Sequence, residues 1–495
     1  MCGIVGVCGP EGTDAVLPIY DSMVTLQHRG QDAAGIVTCD LDGRFHIKKG
    51  EGLVREIFRE KNIRRLRGRV GIGHVRYPTF GSGSGEDAQP FFVPNPYGVA
   101  MAHNGNVVNF AELISELKVR DLRHCNSGCD VEILLHVFAS AMERDGNAQP
   151  TPDQVFRAVG EVFRRVHGAY SVVTLVGGAG LLVFRDPHGI RPLLFGRLEG
   201  PQGPIYAAAS ESVALGLLGF KRLEDVRPGE AVLFTLDGKV HRRVLDSREH
   251  APCIFELIYF SRPDSITDGA SVYEVRLALG RALAARWAAE GEPIDAVIPV
   301  PHAACTAAIE LASRLGVPYR EGLVKNRYVG RTFIMPEDAD RRRLVRQNFS
   351  TVPSVLAGKD VLLLDDSIVR GNTVYEIIEM VRAAGAKKVY FASYSAPLRH
   401  PCVYGIDMVT RKDFVARGRE VEEIGREIGA DRLVYLTLEE MLSAARSAVP
   451  GRTGFCTGCF SGKYPTGDVS EYAKNLEEER ETMRRLRQLE AVSER

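Results

Sequence analysis

The pattern of apolar residues changes near residue 270 and divides this chain into two parts that need different folds. Before that point, short β-prone segments with glycine-rich turns occur in runs, and segments with helical periodicity are grouped between them. After it, continuous apolar segments alternate with amphipathic ones, as where 296–300 is followed by 305–315. Grouped strands and helices predict a layered α+β domain, whereas the alternation predicts an α/β domain with a parallel sheet.

The length of the chain agrees with this division. A chain of 495 residues is longer than one hydrophobic core usually supports, so two domains are expected. We place the first domain at residues 2–245, the second at 246–450, and a segment with two close cysteines and a charged, helix-prone end at 451–495. Periodicity predicts, among others, strands at Gly3–Val7, Val70–Tyr77, Val99–Asn104, Tyr170–Val176, Val361–Leu364 and Lys388–Ser393, and helices at Val16–Gln27, Val131–Met142, Pro152–Val166 and Val374–Ala384.

Charge and composition exclude several classes of protein. Basic and acidic residues both number 63, so the net charge of zero gives no reason to expect a nucleic-acid or membrane partner. The apolar stretches are too short and too often interrupted by glycine to cross a bilayer, and no signal peptide is seen, so a cytoplasmic location is expected. Ten cysteines are then better explained as thiols, catalysts or metal ligands than as disulfides.

Cys2 directly follows the initiator methionine. If an aminopeptidase removes Met1, Cys2 carries both a nucleophilic thiol and the free α-amine of the chain. Because the two pKa values lie near about 8.5 and about 8, the amine can take the thiol proton without a distant histidine. The competing interpretation is a small buried residue in an N-terminal strand, and position alone favours it.

The most specific segment of the second half is Val361-Leu-Leu-Leu-Asp-Asp-Ser-Ile-Val-Arg-Gly-Asn-Thr373. A buried strand ends at Asp365 and Asp366, and a short loop containing Gly371 leads into a helix. Backbone amides at a helix start form a phosphate site, while two carboxylates suit sugar hydroxyls or a divalent ion. A bare Asp-Asp would usually be a solvated acidic turn, but the complete segment favours a phosphate loop.

A basic segment precedes this loop in the sequence. Residues 325–334 place Lys325, Arg327 and Arg331 around Gly330. The simplest interpretation is a solvated basic loop. A loop of this kind can also close over a multiply charged leaving group such as pyrophosphate, neutralising its charge and excluding water.

Taken together, both halves resemble the glutamine phosphoribosylpyrophosphate (PRPP) amidotransferase family, in its iron–sulfur subgroup, over nearly the whole chain. The resemblance in the first half is carried by 26–32 (Leu-Gln-His-Arg-Gly-Gln-Asp), 73–77 (Gly-His-Val-Arg-Tyr), 103–106 (His-Asn-Gly-Asn) and 130–132 (Asp-Val-Glu). It implies a four-layer αββα N-terminal nucleophile (Ntn) hydrolase domain, a class II glutamine amidotransferase. A type I phosphoribosyltransferase domain with a parallel sheet is expected to follow it.

The resemblance implies a role for each residue of the glutaminase half. Cys2 is expected to attack the side-chain amide of glutamine. The Asn104 side chain and the Gly105 N–H are expected to form the oxyanion hole. Arg76 is expected to bind the α-carboxylate and Asp130 the α-ammonium of glutamine.

In the second half the resemblance implies binding of PRPP. The carboxylates of Asp365 and Asp366 are expected to contact ribose hydroxyls and Mg²⁺. Two cations, Lys325 and Arg331, are expected near pyrophosphate. The 5′-phosphate is expected on the loop formed by Ser367, Ile368, Val369, Arg370, Gly371, Asn372 and Thr373.

Four cysteines are candidate metal ligands. By chemistry alone, four thiolates suit either zinc or a [4Fe–4S] cluster. The family resemblance selects the cluster, with a structural role, and supplies the ligands Cys253, Cys402, Cys456 and Cys459.

The sequence departs from the family pattern at three positions. Ala303 stands where the family usually has a hydroxyl that helps to hold Mg²⁺ and pyrophosphate, although Thr306 lies close by in sequence. Asn348 replaces a common lysine, and Cys129 replaces the usual hydroxyl residue before Asp130.

The expected activity is that of an amidophosphoribosyltransferase. Glutamine is hydrolysed, ammonia moves inside the protein to PRPP, and 5-phosphoribosylamine forms with release of pyrophosphate at the first step of purine biosynthesis. The resemblance further implies a homotetramer inhibited by purine nucleotides. Two alternatives remain: a divergent paralogue that hydrolyses glutamine with altered use of PRPP, and a non-catalytic regulatory protein.

Overall fold

The computed structural model describes residues 1–77, 85–144, 147–326, 344–408, 410, 414–449, 451, 454–478 and 482. The strands of the first domain are β1 (Gly3–Cys8), β2 (Ala33–Cys39), β3 (Phe45–Glu51), β4 (Val70–Arg76), β5 (Phe91–Val93), β6 (Val99–Val107), β7 (Gly168–Val176), β8 (Gly180–Arg185), β9 (Leu194–Gly200), β10 (Gly203–Ala209), β11 (Arg222–Asp225), β12 (Glu230–Thr235) and β13 (Val240–Val244). Its helices are α1 (Val16–Thr25), α2 (Val54–Ile57), α3 (Glu60–Ile63), α4 (Phe110–Arg120), α5 (Asp130–Glu143), α6 (Pro152–Arg165) and α7 (Ser212–Leu217), with 3₁₀ turns at Gln27–Arg29 and Gly85–Asp87.

Two antiparallel sheets stack face to face in the first domain. One has the strand order β11-β9-β10-β1-β4-β2-β3 and the other β13-β12-β8-β7-β6-β5. Helices α1 and α7 pack on the outer face of the first sheet, and α5 and α6 on that of the second. Separate buried apolar clusters fill the space between the sheets and the space under each helical layer. This is the predicted four-layer αββα arrangement.

The second domain is built around a parallel sheet. Its strands are β14 (Ile266–Thr267), β15 (Ala270–Ser271), β16 (Ala296–Pro299), β17 (Leu323–Lys325), β18 (Phe349–Thr351), β19 (Asp360–Asp365), β20 (Lys388–Ser393) and β21 (Arg432–Tyr435). Its helices are α8 (Val272–Glu290), α9 (Cys305–Leu315), α10 (Pro353–Leu356), α11 (Asn372–Ala383), α12 (Val421–Glu427), α13 (Leu438–Ser447) and α14 (Gly458–Ser461), with a π-helical turn at Glu256–Phe260. Strands β16, β19, β20 and β21 pair in this order, all parallel, which confirms the predicted α/β architecture.

Two strands of the first domain were not predicted, for identifiable reasons. Strand β10 is Gly-Pro-Ile-Tyr-Ala-Ala-Ala, whose alanines have low β-propensity, yet it pairs with both β1 and β9. Strand β13 is a largely exposed edge strand with two adjacent arginines and lacks an apolar face. Pairing with neighbouring strands, and not local sequence, makes these two segments strands.

The end of the chain is partly described. Residues 470–478 are helical, and most of the predicted charged surface helix lies outside the described residues. No helix in the described part of the chain is long and apolar enough to cross a membrane.

Candidate functional site

Cys2 lies at the start of the central strand of the first sheet. Gly3 of β1 pairs with Val75 of β4, so Cys2 is placed beside Arg76 at the end of β4. The Cys2 side chain lies 3.7 Å from the carbonyl oxygen of Tyr77, measured from Sγ. Cys2 is largely buried, with 9% of the residue exposed.

Asn104 is bonded to the backbone nitrogen of Cys2. The Cys2 N–H donates to Asn104 Oδ1 at 3.1 Å. In this structure that nitrogen is a peptide group because Met1 is attached, and it stands in for the α-amine that removal of Met1 would create. The other end of the amide, Asn104 Nδ2, is buried and has no hydrogen-bond partner among the described residues. Asn104 therefore holds the nitrogen of Cys2 and keeps an N–H donor available beside it.

Gly105 adopts a conformation that only glycine tolerates. Its φ is +151°, and a Cβ atom built on it would lie 1.9 Å from the carbonyl oxygen of Ala169. On the other side, a Cβ atom on Gly405 of the second domain would lie 2.6 Å from the Gly105 carbonyl oxygen. The two domains thus approach each other backbone to backbone at Gly105.

Arg76 and Asp130 are both buried near this end of the sheets. Arg76 Nη2 lies 3.5 Å from Asp87 Oδ2. Asp130 lies in the first turn of α5. Its Oδ1 lies 2.9 Å from His103 Nε2, and its Oδ2 accepts a hydrogen bond from the Val107 N–H at 3.0 Å. The carboxylate of Asp130 is therefore held in a fixed orientation.

Cys129, which replaces a hydroxyl residue, is also buried at this site. Gln89 Nε2 lies 3.6 Å from its sulfur, within reach of a weak hydrogen bond. Burial, followed by the charge of Asp130, raises the pKa of the Cys129 thiol well above its ordinary value. The thiol stays neutral next to the carboxylate.

Sequence reasoning assigned no role to Arg29, which contacts Cys2 directly. Arg29 Nε donates to the Cys2 carbonyl oxygen at 2.9 Å, and its two other nitrogens donate to Glu211 at 2.6 Å and Glu256 at 2.7 Å. Burial opposes ionisation of Glu211, but Arg29 and His28 outweigh it and hold the pKa of Glu211 well below its ordinary value. A fully buried cation thus fixes the backbone of the candidate nucleophile.

Arg191 extends these contacts toward the candidate cluster cysteines. Its Nη1 lies 3.6 Å from Glu256 Oε1, and its Nη2 lies 3.9 Å from the sulfur of Cys402. A continuous series of buried polar contacts therefore runs from Cys402 through Arg191, Glu256 and Arg29 to the Cys2 carbonyl. Arg29 stands in the segment 26–32 and Glu256 lies three residues after the candidate ligand Cys253, but nothing in the sequence pairs them.

The four candidate cluster cysteines are buried and carry free thiols. Cys253 and Cys456 pair in an isolated parallel bridge, and the carbonyl oxygen of Cys459 accepts from the N–H groups of Arg399 and His400. Burial and mutual repulsion raise the pKa of the Cys459 thiol well above its ordinary value, and Cys402, Cys253 and Cys456 all contribute. In the part of the chain that the structure describes, no three of these sulfurs lie within 4.8 Å of one another.

In the second domain, Asp365 and Asp366 lie where β19 ends. Burial, and next the charge of Asp366, raise the pKa of Asp365 well above its ordinary value, although Lys325 opposes this. Burial raises the pKa of Asp366 to about 6 despite the opposing charge of Arg276. Ser367 Oγ donates to Asp366 Oδ1 at 2.6 Å. Two buried acids this close need a cation or hydroxyl donors to ionise fully.

The loop after these acids leads into α11. Gly371 is the N-cap of the helix with φ +81°, a backbone conformation that favours glycine. The first amides of a helix have no acceptor within the helix, so those of Asn372, Thr373 and Val374 face the loop region as donors. The predicted phosphate loop therefore has the strand, acid pair, glycine and helix start that it requires.

The structure brings Lys325 of β17 close enough to lower the pKa of Asp365 by its charge. Arg331 lies outside the described residues. Thr306 is buried in the first turn of α9, after Ala303. Asn348 Nδ2 donates to the Leu344 carbonyl oxygen at 2.8 Å, so its amide bonds to its own backbone segment.

Comparisons with known proteins match both halves of the chain. The family profile of the glutamine amidotransferase domain matches residues 74–216, and that of the phosphoribosyl transferase domain matches residues 272–398. Amidophosphoribosyltransferases with which the chain aligns include that of Pseudomonas aeruginosa, 49% identical over 97% of this chain and 96% of that protein. The Escherichia coli enzyme is 47% identical, and the alignment covers 95% of this chain and 94% of that protein. The Saccharomyces cerevisiae enzyme is 44% identical, and the alignment covers 98% of this chain and 96% of that protein.

Solved structures agree with these matches. The glutamine PRPP amidotransferase from B. subtilis, complexed with ADP and GMP, superposes with a TM-score of 0.82 at 37% identity and covers 95% of this chain and 98% of that one. A structure of the allosteric regulatory enzyme of purine biosynthesis superposes with a TM-score of 0.83 at 38% identity. The superposition covers 95% of this chain and 97% of that one. Since both domains, their order and nearly the full length agree, the chain belongs to the amidophosphoribosyltransferase family.

Proposed function

We propose that this protein is an amidophosphoribosyltransferase that hydrolyses glutamine at Cys2 and uses the ammonia to convert PRPP into 5-phosphoribosylamine, the first step of purine biosynthesis. The observation that carries the proposal is the presence of two matching sites in one chain. Cys2 is bonded through its nitrogen to Asn104, and a phosphate loop begins at the acid pair Asp365 and Asp366. Membership of the family supports the combination of the two activities.

In the glutaminase step, Cys2 Sγ attacks the side-chain carbonyl carbon of glutamine. In the unprocessed chain, burial lowers the pKa of the Met1 α-amine to about 6. After removal of Met1, the α-amine of Cys2 is the proposed acceptor of the thiol proton. Asn104 Nδ2, which has no partner among the described residues, and the Gly105 N–H are the proposed donors to the oxyanion. The tetrahedral intermediate then collapses, the C–N bond breaks, and the nitrogen takes the proton held by the Cys2 amine and leaves as ammonia. Water finally hydrolyses the thioester to glutamate.

Arg76 and Asp130 are proposed to hold the glutamine backbone. The guanidinium of Arg76 suits the α-carboxylate and Asp130 suits the α-ammonium. Their burial at the same end of the sheets as Cys2, and the fixed orientation of Asp130, support these roles.

In the transferase step, ammonia attacks C1 of PRPP and pyrophosphate leaves. The loop from Ser367 to Thr373 is proposed to bind the 5′-phosphate, with Asp365 and Asp366 on the ribose hydroxyls. Lys325 is proposed to neutralise charge near pyrophosphate, as is Arg331, which lies outside the described residues. The raised pKa values of the two acids support this role. A bound cation and ribose hydroxyls would supply further positive charge and hydrogen-bond donors, which stabilise the ionised carboxylates.

Ammonia is proposed to travel inside the protein between the two sites. The close approach of Gly405 to Gly105 supports direct contact of the second domain with the glutaminase site. Met1 is fully buried and belongs to the same contiguous apolar cluster as much of the second domain. Its removal would leave space on the side of Cys2 that faces that domain.

Two inorganic groups belong to the proposal. Asp365 and Asp366 would hold Mg²⁺, which when bound offsets the charge of pyrophosphate as it departs. The thiolates of Cys253, Cys402, Cys456 and Cys459 would hold a [4Fe–4S] cluster with a structural role. Four thiolates suit zinc as well as a cluster, and it is the family resemblance that favours the cluster.

Feedback control and assembly complete the proposal. The relative from B. subtilis was solved with ADP and GMP, which supports inhibition of this protein by purine nucleotides. A homotetramer is proposed by family resemblance. Light scattering on the purified protein measures its mass, and a monomeric mass would contradict the tetramer.

The central test is the PRPP dependence of glutamine hydrolysis, with identification of the product. Strong stimulation by PRPP and formation of phosphoribosylamine are expected. Glutamate without phosphoribosylamine would instead identify a divergent paralogue, which Ala303 and Asn348 would help to explain. Absence of turnover from a folded, cluster-containing protein would contradict an enzymatic function.

A further inference from the structure

A group of three potential metal ligands lies beside α5, outside the sites described above. It consists of Cys125, Glu132 and His136, whose ligand atoms all lie within 4.8 Å of one another. Glu132 and His136 are buried on successive turns of the helix, and Cys125 lies in the preceding loop, partly exposed. The group therefore combines a thiol, a carboxylate and an imidazole, with access to solvent on the cysteine side.

His136 is poorly satisfied by the protein alone. Its Nε2 lies 3.9 Å from Glu132 Oε1, which is too long for a hydrogen bond. Its Nδ1 is buried and has no hydrogen-bond partner in the described part of the chain. Because Nε2 is the nitrogen that lies on the Glu132 side, a cation held among the three side chains would ligate Nε2, with the proton of the neutral imidazole on Nδ1.

Glu132 is already oriented as a ligating carboxylate would be. Its Oε1 accepts from the Asn126 N–H at 2.9 Å, and its Oε2 accepts from the N–H and the Oγ of Ser127 at 2.9 and 2.6 Å. Hydrogen bonds of this kind fix the carboxylates of metal sites. They also fix the loop that carries Cys125, so the thiol and the carboxylate are held on the same side of the helix.

We propose that Cys125, Glu132 and His136 bind a divalent transition-metal ion of the zinc class. Thiolate, imidazole and carboxylate are the donors that zinc prefers, whereas magnesium and calcium take oxygen ligands. With bonds of about 2.0 to 2.3 Å, ligand atoms in a tetrahedral site are about 3.3 to 3.8 Å apart, so a small movement of the exposed loop closes the site. Three protein ligands leave one position for water.

Cobalt titration tests the proposal, because Co²⁺ replaces zinc and reports thiolate ligation by its absorption. The full-length protein, with its four-cysteine site filled as isolated, is cleared of loosely bound metal and titrated anaerobically with Co²⁺. We expect one equivalent to bind with a thiolate-to-cobalt charge-transfer band and the visible bands of tetrahedral cobalt. Affinity should fall at least about tenfold in Cys125→Ser and in His136→Gln.

Cys305→Ser is the matched control, because Cys305 is also a partly exposed free thiol but lies in the second domain. It should bind cobalt as the unchanged protein does. Circular dichroism and retained glutamine hydrolysis show that each variant is folded. No cobalt–thiolate band in the unchanged protein, or an equal band in Cys125→Ser and His136→Gln, would overturn the proposal. A band lost only with Cys253→Ser would do the same, since it would assign the metal to the other cysteines.

Discussion

The two catalytic regions treat buried carboxylates in opposite ways. In the first domain, the cation Arg29 is bonded to Glu211, so the protein itself balances that charge, and Asp130 is held by His103 and the Val107 N–H. In the second domain, burial raises the pKa values of Asp365 and Asp366, and Lys325 offsets only part of that effect. The difference indicates that the glutaminase site is organised before substrate binds, whereas the phosphoribosyl site is completed by its ligands.

The largest effect that separates the two regions is expected from Cys2→Ala. Without the proposed nucleophile, glutamine-dependent synthesis of phosphoribosylamine should fall by about 10³-fold or more. Synthesis from added ammonium should survive, because the second site is untouched. Initial rates with each nitrogen source measure both quantities.

Cys8→Ala is the matched control for this variant, since Cys8 is a buried thiol at the other end of the same strand. It should retain both activities. If Cys2→Ala lost both activities in a folded protein, the two sites would not be separable in the way we describe.

Asp366→Asn should have the opposite effect. Loss of one carboxylate proposed to receive the ribose and Mg²⁺ should lower PRPP-dependent pyrophosphate release by about 10²-fold or more, and basal glutamine hydrolysis should remain. Asp360→Asn, at the far end of the same strand, is the control and should leave pyrophosphate release nearly unchanged. An unaltered rate in Asp366→Asn would refute the phosphate-loop assignment.

A smaller effect, on stability, is expected from Glu256→Ala. This change leaves the buried guanidinium of Arg29 without one of its partners, which typically costs about 3 to 5 kcal/mol. The shift of the urea unfolding transition measures it. Glu60→Ala breaks a pair with Arg64 in which both side chains are 77% exposed, and it should cost less than about 1 kcal/mol. Equal shifts would mean that the buried network does not stabilise the glutaminase site.

The smallest effect is a pH dependence in Glu211→Gln. Because the folded protein holds the pKa of Glu211 below its ordinary value of 4.5, ionised Glu211 stabilises the fold above that pH. This stabilisation is lost as the pH falls through the folded pKa. The stability difference between Glu211→Gln and the unchanged protein should therefore shrink as the pH falls below about 4.5. A difference that grows on acidification would contradict the pairing with Arg29.

Local sequence predicted most of the fold near the sites. Strand β20 begins and ends where periodicity placed it, and α11 begins two residues before its predicted start. The acid pair and the glycine of the phosphate loop were also visible, because their chemistry depends on consecutive residues.

The contacts behind Cys2 were not predictable in the same way. Arg29 meets Glu211 and Glu256, which are far away in sequence, and only the packing of two domains brings the three together. Local periodicity carries no information on such pairs. The same limit applies to Gly405, whose contact with Gly105 depends on the relative position of the domains.

The most direct test of internal ammonia transfer follows the nitrogen atom. The enzyme is supplied with glutamine of natural isotopic abundance, PRPP and ¹⁵N-labelled ammonium at a concentration that supports little synthesis without glutamine, and the label in phosphoribosylamine is measured by mass spectrometry. Transfer within the protein predicts product that carries the glutamine nitrogen almost entirely. Product labelled in proportion to the ammonium in solution would show that ammonia leaves the protein before it reacts, and would contradict the account.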